Sequence, residues 1–335
     1  MHELRQDPIG GGWIVLAPQR AARPQEFAPA ATIADPGDCP FCEGREDITT
    51  PESYAVRQAG SQPNGPGWRV RAIPNKFPAL AGEGQPVERV QGMYRSLAGV
   101  GVHEVIIESP RHLTNLTRLS PAELMEVFSV YRQRLLALRH DRRLAHALIF
   151  KNLGALAGAS LAHLHSQLIA TPVVPSQVAQ ELDGAKAFFA RHGQCVYCRM
   201  LDEELADGRR IVWQSEFCVA FCPYASRFPY EMWVLPRKHA PRFEECSNGE
   251  LAGVASMVWR VVGGLENALD RPAYNYMMHT APFASSDFSY DHWHLEITPR
   301  IANLAGFEWG TGFCINTVPP EEAAARLREC ISRDA

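Results

Sequence analysis

The chain has 335 residues, 46% hydrophobic and 21% charged; this globular composition excludes a mainly disordered chain and fits about two domains, or one built from two similar halves. With 33 Lys and Arg against 37 Asp and Glu the net charge is −4, which gives no electrostatic footprint for nucleic acid. Apolar runs such as Val105-Ile106-Ile107 fall far short of the about 20 residues of a spanning helix, and Met1 to Asp7 lacks the basic-then-apolar pattern of a secretory leader, so the expectation is a cytoplasmic protein with neither a nucleic-acid nor a membrane partner.

Nine cysteines are an odd number, and in a reducing compartment patterned cysteines point to metal binding or catalysis rather than disulfides. Four are patterned, as Cys39-Pro-Phe-Cys42 and Cys195-Val-Tyr-Cys198. The other five (Cys218, Cys222, Cys246, Cys314 and Cys330) read as small buried hydrophobes.

In chain order, 21–36 is rich in Ala and Pro and reads as extended loop, and 60–67 as a turn cluster around Pro63-Asn64-Gly65. Val102 to Glu108 is strand-like and leads to His112. Ser120-Pro121-Ala122-Glu123 is a capping box, predicting a helix to about His140. A strand over about 147–151, the glycine-rich Gly154 to Ser160, and His163-Leu164-His165 with Gln167 come next. A helix over about 177–191 leads into the second CxxC. Strands follow at about 210–222 and 232–235, then His239, a second capping box at Ser247 to Glu250, a helix to about Leu269, a strand over 274–279, and His292-Trp293-His294.

CxxC, lone His, capping box and HxH thus recur in one order. From the capping serine to the first His of the pair is 43 residues in one half and 45 in the other. The repetition predicts an internal duplication, divided as 1–175 and 176–335.

A CxxC turn supplies two of the four tetrahedral ligands that structural zinc takes. Cys39, Cys42, His112 and His163 make one Cys2His2 set, and Cys195, Cys198, His239 and His292 a second, in which His294 could replace His292. Two zinc ions per chain, with all positions filled by protein, would act in folding rather than catalysis. If His163 holds a metal, His165 lies beside it on the same strand face. The glycine-rich loop lets a phosphate approach backbone N–H groups, and Gln167, two residues on, could donate to a phosphoryl oxygen. This set offers a neutral imidazole, His165, as nucleophile toward phosphorus, with Gln167 as a catalytic donor. A hydrolase would instead need a histidine in place of Gln167 to protonate a leaving group, and a pure binding module would need no positioned nucleophile.

The run from Gly154 to Gln167 resembles the galactose-1-phosphate uridylyltransferase family of the histidine-triad superfamily, and the resemblance extends over about 8–330. Gly12 to Pro18 resembles the family's opening strand, Arg20 and Arg23 its paired arginines, and Asn75 to Leu80 its nucleotide-binding loop. The resemblance implies an α+β fold, two histidine-triad repeats forming an antiparallel half-barrel sheet with helices outside. It also implies a homodimer and ping-pong transfer of a nucleoside monophosphate through nucleotidyl-His165, with Arg20, Arg23, Asn75, Phe77, Asn152, Gly154 and Ser160 contacting substrate. Where family members carry two more metal-binding histidines, this chain has Glu296 and Thr298. Where they hold the hexose with a glutamate, it has Cys314. The leading expectation is a UDP-glucose:hexose-1-phosphate uridylyltransferase of hexose metabolism, binding a nucleotide sugar and a sugar-1-phosphate. The alternative is an ADP- or UDP-sugar phosphorylase using inorganic phosphate, since the ADP-glucose phosphorylase branch shares the double CxxC pattern.

Overall fold

The computed structural model describes residues 3–16, 39–80, 82–283 and 288–332. Arg20, Arg23 and the whole Ala- and Pro-rich stretch 21–36 lie outside them. The N-terminal half contains β1 (Glu3–Gln6), β2 (Trp13–Leu16), β3 (Tyr54–Arg57), β4 (Trp68–Pro74), the hairpin β5 (Glu88–Gln91) and β6 (Tyr94–Leu97), β7 (Val102–Ile107), α1 (Pro121–Arg139), β8 (His146–Leu153) and β9 (His165–Thr171). Then come α2 (Ser176–His192), α3 (Val196–Asp207), β10 (Ile211–Gln214), β11 (Cys218–Phe221), β12 (Met232–Pro236), α4 (Asn248–Leu269), β13 (Tyr274–His279), β14 (His294–Pro299), α5 (Gly306–Thr311), β15 (Cys314–Asn316) and α6 (Pro320–Ser332).

Both capping boxes form. The Ser120 hydroxyl accepts from the Glu123 N–H while the Glu123 carboxylate accepts from the Ser120 N–H, and Ser247 and Glu250 repeat the exchange. Each box satisfies two donors at a helix start that would otherwise lack partners.

Ten strands form one sheet in the order β10-β11-β12-β14-β13-β8-β9-β7-β4-β3, antiparallel at every pairing. Read outward from the central β8–β13 pair, each half runs alike: β9, β7, β4, β3 on one side and β14, β12, β11, β10 on the other. The duplicated motifs therefore have a duplicated topology, with His165 and His294 both opening the strand next to the centre. The fold is α+β. One sheet face carries the main core, where Leu124, Val127, Phe128 and Tyr131 of α1 and Leu251, Val258 and Val262 of α4 pack on Ala147, Leu168, Val234 and Leu295, with Leu327 of α6 joining them.

The helices are not confined to that face. In the C-terminal half, α2 and α3 cover the opposite face, where Ala185, Val196, Tyr197 and Leu201 pack on Val219, Phe221, Trp233 and Leu235. Among the described residues, the matching face of the N-terminal half carries a small cluster of Trp68, Ile73, Val105 and Ile107 with Phe41 beside it. Among the described residues one repeat is thus plugged where the other is thinly covered. The strand region expected over 210–222 is broken by a turn at Ser215, whose hydroxyl accepts from the Phe217 and Cys218 N–H groups.

Candidate active site

In the first CxxC, Cys39 and Cys42 sit in a turn closed by a Cys42 N–H to Cys39 carbonyl bond of 3.4 Å. Cys39 Sγ lies 3.5 Å from His163 Nδ1, and Cys42 Sγ 3.5 Å from His112 Nδ1 and 3.7 Å from His163 Nδ1. The four ligand atoms lie within 4.8 Å of one another. His163 Nε2–H donates to the Ser109 carbonyl at 2.8 Å, which leaves the Nδ1 lone pair for a cation. Burial and the neighbouring Cys39 sulfur push the Cys42 thiol up to about 11.

The second set gathers as tightly, from Cys195, Cys198, His239 and His292. Cys195 stands at the N-cap of α3 and Cys198 in its first turn. Cys198 Sγ lies 3.3 Å from His239 Nδ1 and 3.6 Å from His292 Nδ1. His292, not His294, completes this set, because His294 opens β14 and turns elsewhere. His292 Nε2 is buried without a hydrogen-bond partner among the described residues, so this set lacks the outer-shell acceptor that His163 has. Both sets suit a tetrahedral cation of the kind thiolate and imidazole bind.

The strand begins at His165, so His163 precedes it rather than sharing its face. What links the two is the backbone: His165 Nδ1–H donates to the His163 carbonyl at 2.7 Å. That bond fixes the tautomer and leaves the Nε2 lone pair unspent. Burial, reinforced by the charge of Lys151, holds the His165 pKa below the usual imidazole value, so the ring is neutral and nucleophilic at neutral pH. Beneath it, Lys151 Nζ donates to the His165 carbonyl at 3.1 Å and to Glu108 at 2.6 Å. The Phe41 ring stands edge-on at 5.4 Å.

Gln167 does share the β9 face of His165, since Ser166 and Leu168 between and beyond them are fully buried. Its Oε1 is 2.8 Å from His103 Nε2. The Phe77 N–H donates to Asn75 Oδ1 at 2.8 Å, and Asn75 Nδ2 lies 3.1 Å from the same His103 nitrogen. Phe150 pairs with Gln167 and closes the β8–β9 ladder, so Asn152 and His165 lie just past its end. Asn152 Oδ1 accepts from Asn275 Nδ2 at 2.8 Å, and Asn275 also donates to the Ala157 carbonyl at 2.9 Å. Three carboxamides thus spend their oxygens on the scaffold, which leaves N–H donors for an anion.

The loop beside them turns at Gly154 (φ 84°) and Gly158 (φ 87°). A Cβ at Gly154 would meet the Ala273 Cβ at 2.8 Å. Phe77 and Ser160 are exposed. Sequence reasoning missed His103, Asn275, Lys151 and Glu108. A lone His in β7, a Glu just past its end, a Lys in β8 and an Asn in β13 carry no motif, and only strand pairing reveals their neighbours.

The second repeat has the same parts in a different state. His294 Nδ1 lies 3.0 Å from the His292 carbonyl, but its ring is stacked between Trp233 at 5.0 Å and His279 at 4.6 Å, with Tyr197 also at 5.0 Å. His279, His294 and Glu296 form a third group of possible ligands. Glu296, in the position of Gln167, is already paired with Arg227, which also meets Glu231 at 2.9 Å. A cleft of about 1000 Å³ lies on this side, under α2 and α3, away from His165.

Residues 1–175 match the family model of the galactose-1-phosphate uridyl transferase N-terminal domain, and 101–334 match a model described as a domain of unknown function, DUF4921. An ADP-glucose phosphorylase from Arabidopsis thaliana is 35% identical over 334 residues, 98% of this chain and 92% of that protein. A galactose-1-phosphate uridylyltransferase from Thermotoga maritima is 28% identical over 338 residues, 98% of each. A crystal structure of the Arabidopsis ADP-glucose phosphorylase with bound ADP-glucose superposes with a TM-score of 0.85 at 33% identity, covering 98% of this chain and 99% of that one.

Proposed function

The chain belongs to the galactose-1-phosphate uridyl transferase family, and within its nucleotidyl-transfer chemistry we propose that it is a nucleotide-sugar phosphorylase, with ADP-glucose as its preferred substrate and inorganic phosphate as acceptor. The leading expectation from sequence, a hexose-1-phosphate uridylyltransferase, gives way to its alternative. The 35% identity to an ADP-glucose phosphorylase supports this choice, as does Cys314, on β15, at the position where the resemblance calls for a hexose-binding glutamate.

The observation that carries the chemistry is the His165 ring, with Nδ1–H spent on the His163 carbonyl and Nε2 open. In the first half-reaction Nε2 attacks the α-phosphorus of the nucleotide sugar. An N–P bond forms, the P–O bond to the sugar phosphate breaks, and the hexose-1-phosphate leaves. In the second, a phosphate oxygen attacks the same phosphorus, the N–P bond breaks, and the nucleoside diphosphate departs with the imidazole restored. Gln167, Asn152 and Asn75 supply N–H donors to the phosphoryl oxygens, where charge grows in the transition state. A metal on Cys39, Cys42, His112 and His163 would hold the loop whose carbonyl orients His165. We read zinc there and in the second set, and the assembly as a homodimer, which light scattering tests.

Incubating the protein with ADP-glucose or UDP-glucose, each with inorganic phosphate or galactose-1-phosphate, tests the assignment. The expected result is release of glucose-1-phosphate from ADP-glucose dependent on inorganic phosphate. Turnover confined to UDP-glucose with galactose-1-phosphate would restore the uridylyltransferase reading.

Elemental analysis should find about two zinc ions per chain. Under graded chelation the ion of the second set should leave first, because outer-shell partners change metal affinity by about 10- to 100-fold and His292 Nε2 has none among the described residues. Metal-free protein from a preparation never exposed to chelator would refute both sites. Loss of the ion that depends on His163 before the one that depends on His292 would refute the ranking.

A further inference from the structure

We propose that His103 is a positioning residue of this reaction: it locks the Gln167 carboxamide in the one orientation that turns its N–H donors toward the transferring phosphoryl group. The inference rests on the reading of Gln167 as a phosphoryl donor.

A glutamine amide offers an acceptor on one side and two donors on the other, and the two ends have nearly the same shape. Flipped, Gln167 would present a carbonyl oxygen to an anionic phosphate. Something must choose the orientation, and the choice can be traced through fixed groups. His103 lies on β7 beside β9, diagonal to Gln167, whose direct partner is Val105. Such diagonal neighbours are within reach of long side chains. The backbone N–H of Ala79 donates to His103 Nδ1 at 3.1 Å. A main-chain N–H can only donate, so Nδ1 is the acceptor and the neutral ring carries its proton on Nε2. That proton points at Gln167 Oε1, 2.8 Å away. The oxygen of Gln167 is thereby spent on His103, and its NH2 group is left for a ligand.

The same ring organises the neighbouring loop. The His103 carbonyl accepts from the Asn75 N–H at 2.8 Å, and Asn75 Oδ1 is held by the Phe77 N–H at 2.8 Å. With one proton on Nε2, and that proton given to Gln167, the ring cannot accept from Asn75 Nδ2. His103 touches no reacting atom in this scheme. It acts through Gln167 and the Asn75 loop.

A double-variant cycle tests the assignment, with nucleotidyl transfer from ADP-glucose as readout and metal content as a folding control. His103→Leu should lower kcat by about 10- to 100-fold, less than the about 10²- to 10³-fold of losing an oxyanion-type donor outright, because Gln167 stays but loses its lock, and leave KM within about twofold. His103→Gln, which can still donate to Oε1, should recover most of that loss. His103→Asn, which can accept from Ala79 but is too short to reach Gln167, should not; it also serves if the leucine variant fails to fold. In a Gln167→Leu background, His103→Leu should cost less than about twofold more. Equal and independent losses in the two backgrounds, or a foldable His103→Asn with full kcat beside a crippled Gln167→Leu, would overturn the positioning role alone. A fully active Gln167→Leu would overturn the reading of Gln167, and this inference with it.

Discussion

His165→Ala should abolish covalent labelling by a nucleotide sugar carrying radiolabel in its nucleoside monophosphate, and should lower turnover by on the order of 10⁴-fold or more, as loss of a nucleophile does. The labelled species in the unaltered protein should be labile to acid and stable to alkali, as a phosphoramidate to histidine is. Metal content should stay intact, because His165 is outside both ligand sets. His294→Ala is the informative companion. The duplication gives His294 the same strand position and the same contact to a carbonyl two residues back, yet its ring is stacked between Trp233 and His279. Labelling should persist in that variant. A covalent intermediate surviving in His165→Ala, seen by mass spectrometry of quenched protein, would refute the assignment.

The pH dependence of labelling follows from the same geometry. Burial, reinforced by the Lys151 charge, depresses the His165 pKa, so the neutral nucleophile persists to lower pH than for a free imidazole, whose pKa is about 6.5. The rate should stay level as pH falls through 6.5 and decline only in more acidic solution. An acid limb at or above 6.5 would mean that the ring is not held neutral.

The two metal sets were legible in the sequence because thiolate–imidazole chemistry needs few residue types at recurring spacing. The repeat then nominated the lone histidines 112 and 239 that spacing alone would leave unassigned. Capping boxes were legible because they are local exchanges between residues three apart. The asymmetry between the halves was not. Nothing in His292-Trp293-His294 says that α2 and α3 will cover its sheet face, because that depends on long-range packing of Tyr197 and Leu201 against Phe221 and Trp233. His103 and Asn275 were illegible for a related reason. Each orients an amide on a neighbouring strand, and a register shift of one residue would turn it to the other face. The shared face proposed for His163 and His165 was the wrong mechanism for a correct adjacency, since the chain is not yet a strand at His163 and a carbonyl makes the link.

The group under the nucleophile gives the largest expected effect on stability. Lys151 and Glu108 are buried on the helix side of the sheet, where Nζ meets the carboxylate at 2.6 Å. Burial lowers the Lys151 pKa, and the Glu108 charge opposes that. Tyr131 donates to Glu108 at 3.1 Å, and Ser166 also donates to it. Lys151→Met would strand this carboxylate without its counter-charge. Breaking a buried pair from one side costs roughly 3–5 kcal/mol, a large share of the about 5–15 kcal/mol that holds a typical domain together. The midpoint of urea unfolding should fall accordingly. Lys151→Met combined with Glu108→Gln removes both charges while keeping an acceptor for Tyr131 and Ser166, so it should recover most of the lost stability. Activity should not return with it. The ammonium also donates to the His165 carbonyl, and methionine restores neither that bond nor the nearby positive charge that reinforces burial in keeping the imidazole neutral. A double variant as unstable as Lys151→Met alone would show that the lysine stabilises by something other than its partner's charge. One that regained full labelling would show that the Lys151 bond to the His165 carbonyl is not needed to position the nucleophile.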